Sequence, residues 1–107
     1  MGSPIILVMT TVDEQGVASK LSRELVEENL AACVSVSSPV TSVYSWEGEV
    51  VEDEEYPLLI KTTDSRREAV EDFLQTNHPY DCPEVLSLEV DEVSEDYGVW
   101  LREVVKS

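Results

Sequence analysis

The sequence predicts an α+β fold in one domain spanning residues 1–107, and three observations predict it. A short unbroken apolar run opens the chain. A long two-armed stretch of β-branched and aromatic residues joined at Glu47-Gly48 fills its middle. Stretches with apolar residues at i, i+3 and i+4 alternate with these extended segments or follow them. The resulting order is β-α-β-β-α-β-α. Its first six elements are those of a split β-α-β, or ferredoxin-like, sandwich with helices on one sheet face, extended by a C-terminal helix.

Taken in order, Ile5-Ile6-Leu7-Val8-Met9-Thr10 reads as a central strand buried on both faces. Asp13 suits an N-cap, and a helix should run to about Asn29 with Val17 or Ala18, Leu21, Leu25 and Ala32 turned inward. The hairpin follows, covering residues 33–63. Gly48 supplies the permissive backbone of a two-residue turn. With Trp46 facing Glu49, Ser38 falls opposite Pro57 and Pro39 opposite Tyr56. Proline donates no ladder hydrogen bond, so the ribbon should be bent or interrupted near Pro39 and Pro57.

The arms of this hairpin are long. At ~3.3 Å per residue, the run from Glu49 to Thr63 extends roughly 50 Å, against a radius of gyration of about 13 Å for a folded chain of this size. The hairpin should therefore overhang its domain and expose Tyr44, Trp46 and Val50. An overhanging apolar ribbon invites edge pairing unless another subunit covers it, so an oligomer is expected.

Ser65-Arg66-Arg67-Glu68 fits a capping box for a second helix, with Ala69, Val70, Phe73 and Leu74 inward and an end near Thr76. A loop bracketed by Pro79 and Pro83 leads to an alternating strand, residues 85–90. Ser94 can cap a last helix in which Tyr97, Trp100, Leu101 and Val104 share a face.

The charge balance is 23 Asp+Glu against 7 Lys+Arg, a net charge of −16. Such a surface repels nucleic acid and anionic membranes, and neither is expected as a partner. Either the carboxylates solvate an acidic, halophilic chain in a salt-saturated cytoplasm, or some of them bind cations; their spread along the chain favours solvation. Two cysteines, Cys33 and Cys82, make no disulfide framework. The N-terminal apolar run lacks a basic flank and is too short to span a membrane, so a cytoplasmic protein is expected.

Five ordered blocks carry a resemblance. They are Leu30-Ala31-Ala32-Cys33, Thr41-Ser42-Val43-Tyr44-Ser45-Trp46-Glu47-Gly48, Leu59-Ile60-Lys61-Thr62-Thr63, His78-Pro79-Tyr80 with Pro83-Glu84, and Asp96-Tyr97 with Trp100-Leu101. With these the chain resembles the divalent-cation tolerance (CutA) family over nearly its whole length. The resemblance implies a ferredoxin-like fold and a tight homotrimer with the long hairpins packed around a threefold axis. It also implies an architecture akin to the PII signalling proteins. Binding of copper and other divalent metals is implied as well, with no established catalytic reaction. The partners expected are therefore further copies of the chain and metal ions. No enzyme activity and no organic cofactor are expected.

Three residues are candidate metal ligands: His78, Met9 and Cys82. His78, the sole histidine, suits copper, zinc or nickel, or else caps the preceding helix or packs at a subunit interface. In family members with a described copper site, a cysteine ends the first strand and two histidines precede Pro-Tyr. Those cysteine and first-histidine positions read Met9 and Asn77 here. Met9 offers a soft thioether. Cys82 either rebuilds a ligand pair with His78 or fills a small apolar space. Tyr44, Trp46, Lys61, Tyr80 and Glu84 match the set that the family carries in a cleft between subunits. There Lys61 and Glu84 serve either a ligand pocket or an ion pair between subunits. Glu52-Asp53-Glu54-Glu55 reads as solvated edge carboxylates. The leading expectation is a homotrimer that binds metal ions in the response to them. Its rival is a PII-like sensor holding a small metabolite in the intersubunit cleft.

Overall fold

Eight elements follow one another in the computed structural model, which describes residues 2–106. They are β1 (Ile5–Val12), α1 (Gln15–Glu27), β2 (Cys33–Val36), β3 (Val40–Trp46), β4 (Glu49–Thr63), α2 (Arg67–Asn77), β5 (Leu86–Glu89) and α3 (Glu95–Val105). The strands form one open antiparallel sheet in the order β2-β4-β1-β5, and β3 pairs with the far half of β4. The expected succession is present with one addition: the first arm of the hairpin is two strands, β2 and β3.

The break between them is a bulge. β2 runs from Cys33↔Lys61 to Val36↔Leu58, whereas β3 runs from Val40↔Glu55 to Trp46↔Glu49. The first arm thus advances one residue more than β4 across Ser37, Ser38 and Pro39, and that extra residue interrupts the ladder. The predicted interruption occurs on the Pro39 side alone. Pro57 stays inside an unbroken strand, opposite Thr11, and its carbonyl accepts the Ser37 N–H at 3.0 Å. Register counted back from the turn therefore fails beyond Val40, and the pairing of Ser38 with Pro57 is off by one.

At the tip, Glu47 (φ 52°) and Gly48 (φ 83°) are both left-handed, as a type I′ turn requires. The molecule measures 47 × 26 × 23 Å, its long axis close to the reach expected of β4. Val43, Tyr44, Trp46 and Val50 on the ribbon are exposed, Val50 to 76%.

Two clusters make the core beneath α1 and α2. Ile6 and Val8 meet Leu25, Val70 and Leu74; Val12 meets Ala18, Leu21 and Leu58. Ile5, one residue out of phase, faces the other way and packs with Leu101 and Val105 of α3. The rest of that second face is open. Directly paired residues share a face, so Cys33, Lys61, Leu7 and Leu88 form one row across it, and Ser35, Leu59, Met9 and Leu86 the next. β1 is consequently covered fully on one side only, where the sequence suggested both. Leu86 and Leu88 are each 53% exposed, because it is Ser87 that turns beneath the helices, toward Glu71.

The helix ends also differ from expectation. Neither Asp13 nor Ser65 caps a helix: Glu14 and Arg66 occupy the N-cap positions of α1 and α2, without side-chain bonds. Ser65 instead lies in a 3-10 turn, its Oγ 2.9 Å from Thr63 Oγ1. α1 closes with Asn29 at φ 58°, the Asn29 N–H donating to the Val26 carbonyl and the Leu30 N–H to that of Leu25. This is a Schellman ending, and it leaves Ala32 beyond the helix rather than on its stripe. In α3, which does start after Ser94, the buried stripe is Gly98, Leu101 and Val105. Tyr97 and Trp100 lie outside it, exposed, with ring centroids 5.5 Å apart.

Thr10 is fully buried on the helix side of β1, and its hydroxyl has no hydrogen-bond partner. An orphaned buried hydroxyl costs about 1–3 kcal/mol, and valine has nearly the same shape. Thr10→Val should therefore raise stability by about 1 kcal/mol in denaturant titration. A fall in stability would show that the hydroxyl is satisfied.

Candidate functional site

A cleft of about 760 Å³ opens where the base of the ribbon, the end of β1 and the loop after α2 converge. β3 and β4 contribute Tyr44, Trp46, Asp53, Glu54 and Glu55; Thr11 and Asp13 close one end; Tyr80, Asp81, Cys82 and Glu84 form the opposite wall. Ser42, Tyr44 and Trp46 share one face of β3 because every second side chain points the same way, and Val43 adds to the lining between them. Asp53 and Glu55 share a face of β4 for the same reason.

The loop wall is held by His78. β5 ends opposite Met9, which leaves the Thr11 carbonyl unpaired on the edge of β1 beyond it. His78 Nε2 lies 2.9 Å from that carbonyl oxygen and donates to it. Its Nδ1 accepts the Tyr80 N–H at 3.1 Å, which fixes the neutral Nε2–H tautomer. The Tyr80 ring stands edge-on to the imidazole at 4.8 Å, and its hydroxyl donates to Glu55 Oε2 at 2.9 Å. One imidazole thus ties the β1 edge to the loop, and one phenol ties the loop to β4. Pro79 stops α2 from continuing, and the His78 N–H still closes the last helical turn on the Leu74 carbonyl at 2.9 Å.

Electrostatics in the cleft are one-sided. Asp13, Asp53, Glu54, Glu55, Asp81 and Glu84 line it, and no Lys, Arg or His among the described residues does. Tyr80 is pushed well above the ordinary phenol range by burial and by its bond to Glu55. Tyr44 is raised by the hydrogen bond that it donates to Asp53. Both phenols therefore stay protonated at neutral pH. The imidazole of His78 is only 8% exposed, and burial lowers its pKa from 6.5 against the opposing pull of the Thr11 carbonyl, Glu55 and Asp13. Chemically, the cleft is suited to cations and offers nothing to neutralise an anionic metabolite.

The candidate residues fall into three places. Tyr44, Trp46, Tyr80, Glu84 and Cys82 come together in the cleft. His78 sits beneath it, with both ring nitrogens engaged by backbone. Met9 and Lys61 lie on the open sheet face, where Lys61 Nζ donates to Ser35 Oγ at 3.0 Å with Cys33 Sγ at 3.7 Å. Among the described residues, no group of three or more His, Cys, Asp or Glu is placed to hold a metal ion. The reading of residues 52–55 as solvated carboxylates holds for Glu52, Asp53 and Glu54, which are exposed, and is corrected for Glu55, which is buried and accepts from Tyr80. The signal for Glu55 was its place opposite Val40, at the bulge where the ribbon meets the domain.

Residues 6–104 match the family model described as CutA1 divalent ion tolerance protein. The Divalent-cation tolerance protein CutA of Thermus thermophilus is 43% identical over 97 residues, covering 91% of this chain and 94% of its own length. Protein CutA, chloroplastic, of Arabidopsis thaliana is 41% identical over 99 residues, 92% of this chain but 54% of that longer protein. Among solved structures, CutA from Synechococcus elongatus PCC7942 superposes with a TM-score of 0.93 at 36% identity, over 97% of this chain and 92% of that one. No helix among the described residues is long and apolar enough to cross a membrane.

The lowered pKa of His78 makes a pH prediction. Above 6.5 the imidazole is neutral in both folded and unfolded chains, and its two backbone bonds contribute fully. As pH falls below 6.5 the unfolded chain takes the proton first, so stability drops until the folded pKa is passed. Between about pH 7.5 and 5.5 the wild type should lose stability that His78→Asn does not lose. Parallel pH profiles for the two proteins would contradict this.

Proposed function

The chain belongs to the CutA1 divalent ion tolerance family, and from that premise we propose that it is a divalent-cation tolerance protein that binds metal ions in the response to them. The observation that carries the binding reading is the cleft itself. Six carboxylates, two protonated phenols and the Cys82 thiol line one concavity with no cationic side chain among them. Oxygen donors suit divalent cations generally, and the exposed thiol adds a soft donor for a copper-type ion. His78 would join such a site only by giving up the Tyr80 N–H. We therefore assign it the role of fixing the loop, and leave Met9 to the sheet face.

The proposal extends to assembly and place of action. We read the architecture as the ferredoxin-like sandwich and the molecule as a homotrimer. Two features support this: the open rows holding Leu7, Met9, Leu59, Leu86 and Leu88, and a ribbon whose apolar tip nothing among the described residues covers. A fully exposed side chain of this kind gains about 1.5–3 kcal/mol on full burial and these partly exposed ones a fraction of that each, so a second copy has much to cover. Non-catalytic action in the cytoplasm completes the reading, supported by two unpaired thiols. The Arabidopsis relative is named chloroplastic, so compartments differ across the family. The net charge of −16 also suits work in concentrated salt.

Isothermal titration of Cu(II) and Zn(II) tests the binding reading. Wild type should bind, and Asp53→Asn combined with Glu84→Gln should weaken binding at least about tenfold, a change of ~1.4 kcal/mol. His78→Asn should leave the affinity unchanged. Wild-type binding abolished by His78→Asn and unaffected by the carboxylate changes would overturn the assignment.

A further inference from the structure

In so acidic a chain the few cations are unevenly placed. Four of the 7 Lys and Arg residues, Arg66, Arg67, Arg102 and Lys106, gather where the N-terminal segment meets the 3-10 turn and the end of α3. Between them lies a second pocket, about 300 Å³, remote from the acidic cleft and lined by Ser3, Thr63, Ser65, Arg102, Glu103 and Lys106 together with Gly2.

Its donors are arranged and partly unspent. Arg102 Nε donates to the Ser3 carbonyl at 3.0 Å, which fixes the guanidinium by one edge and leaves its terminal nitrogens. No carboxylate among the described residues lies within ion-pair distance of it, in a chain with 23 of them. Ser3 Oγ accepts the Ser65 N–H at 2.9 Å, so its own proton is free to donate. The hydroxyls of Thr63 and Ser65 bond each other at 2.9 Å, and one hydroxyl proton of the two remains. Lys106 Nζ touches only Glu103, at 3.1 and 3.4 Å, a surface contact of little strength. Donors from the N-terminal segment, the end of β4 with its following turn, and α3 thus converge on one concavity. A flat carboxylate presents two acceptor oxygens to such a set; a tetrahedral oxyanion presents four.

We propose that this pocket binds a tetrahedral oxyanion, either inorganic phosphate or the phosphate group of a phosphomonoester. Arg102 is its anchor, Lys106 its second charge, and the Ser3 hydroxyl with the one remaining proton of the Thr63–Ser65 pair its neutral donors. The ligand would join the N-terminal segment to α3, and the chain would carry a cation cleft and an anion pocket that act separately.

Isothermal titration of the full chain with inorganic phosphate and, separately, glycerol phosphate, at ionic strength held constant with KCl, decides it. Wild type should bind with a dissociation constant on the order of 1 mM. Arg102→Gln should weaken binding about tenfold and Lys106→Gln about threefold, while Arg23→Gln, on α1, leaves it unchanged. Tighter binding of glycerol phosphate than of phosphate identifies a phosphomonoester as the ligand; equal or weaker binding identifies free phosphate. Arg102 also holds Ser3, so Lys106→Gln is the deciding variant if Arg102→Gln disturbs the fold. No heat from either ligand up to about 20 mM, or an unchanged constant in Lys106→Gln, would overturn the proposal.

Discussion

Everything in this structure hangs on one strand. β4 runs fifteen residues without a break, and each of its two ends serves a different body. From Tyr56 to Thr63 it pairs with β1 and lies in the core; from Glu49 to Glu55 it pairs with β3 and leaves the domain. The change of role occurs where β2 gives way to β3 through the bulge at Ser37, Ser38 and Pro39. A single extra residue there alters the twist and register of the ribbon without costing β4 any of its own continuity. Glu55 marks the junction, buried although charged, with Tyr80 donating to it. The cleft exists because the ribbon base and the loop after α2 meet at that point.

The loop wall depends in turn on an unpaired backbone carbonyl. β5 is only four residues long, so the edge of β1 is left bare at Thr11. A buried carbonyl requires a donor, and His78 supplies one from a helix terminus. The cost is that the only histidine in the chain becomes a structural group. In the function proposed above, cation binding falls to carboxylates, of which the chain has 23. The separate pocket beside Arg102 is the reverse arrangement, with scarce positive charge concentrated rather than dispersed.

How much of this was legible in the sequence follows from which interactions are local. The tip was readable to the residue, because a two-residue turn fixes the pairing of Trp46 with Glu49 by backbone geometry alone. So was the overhang, since strand length counts directly in residues. The bulge offset was not, because Pro39 announces an interruption without saying which arm absorbs the extra residue. Helix caps at Asp13 and Ser65 were misplaced because a side chain able to cap is not bound to do so when the backbone enters the helix one or two residues later. For the site, Tyr44, Trp46, Tyr80, Cys82 and Glu84 could be grouped from family resemblance, whereas Asp53 and Glu55 were invisible. Glu55 is buried by Tyr80, twenty-five residues away, while Asp53 stays exposed and accepts from Tyr44. Met9 and Lys61 were grouped with the site by family resemblance; within one chain, period-2 geometry puts both on the open sheet face.

That open face and the uncovered ribbon are the two surfaces a single chain leaves unsatisfied, and they lie on the same extended sheet. Our central claim is that further copies of the chain cover both. Its most direct test is the solution mass by sedimentation equilibrium at micromolar protein in high salt. The account predicts three times the 12.0 kDa chain mass, held across the concentration range. A stable species at the mass of one chain would contradict it, and the exposed Leu86, Leu88 and Val50 would then need another explanation.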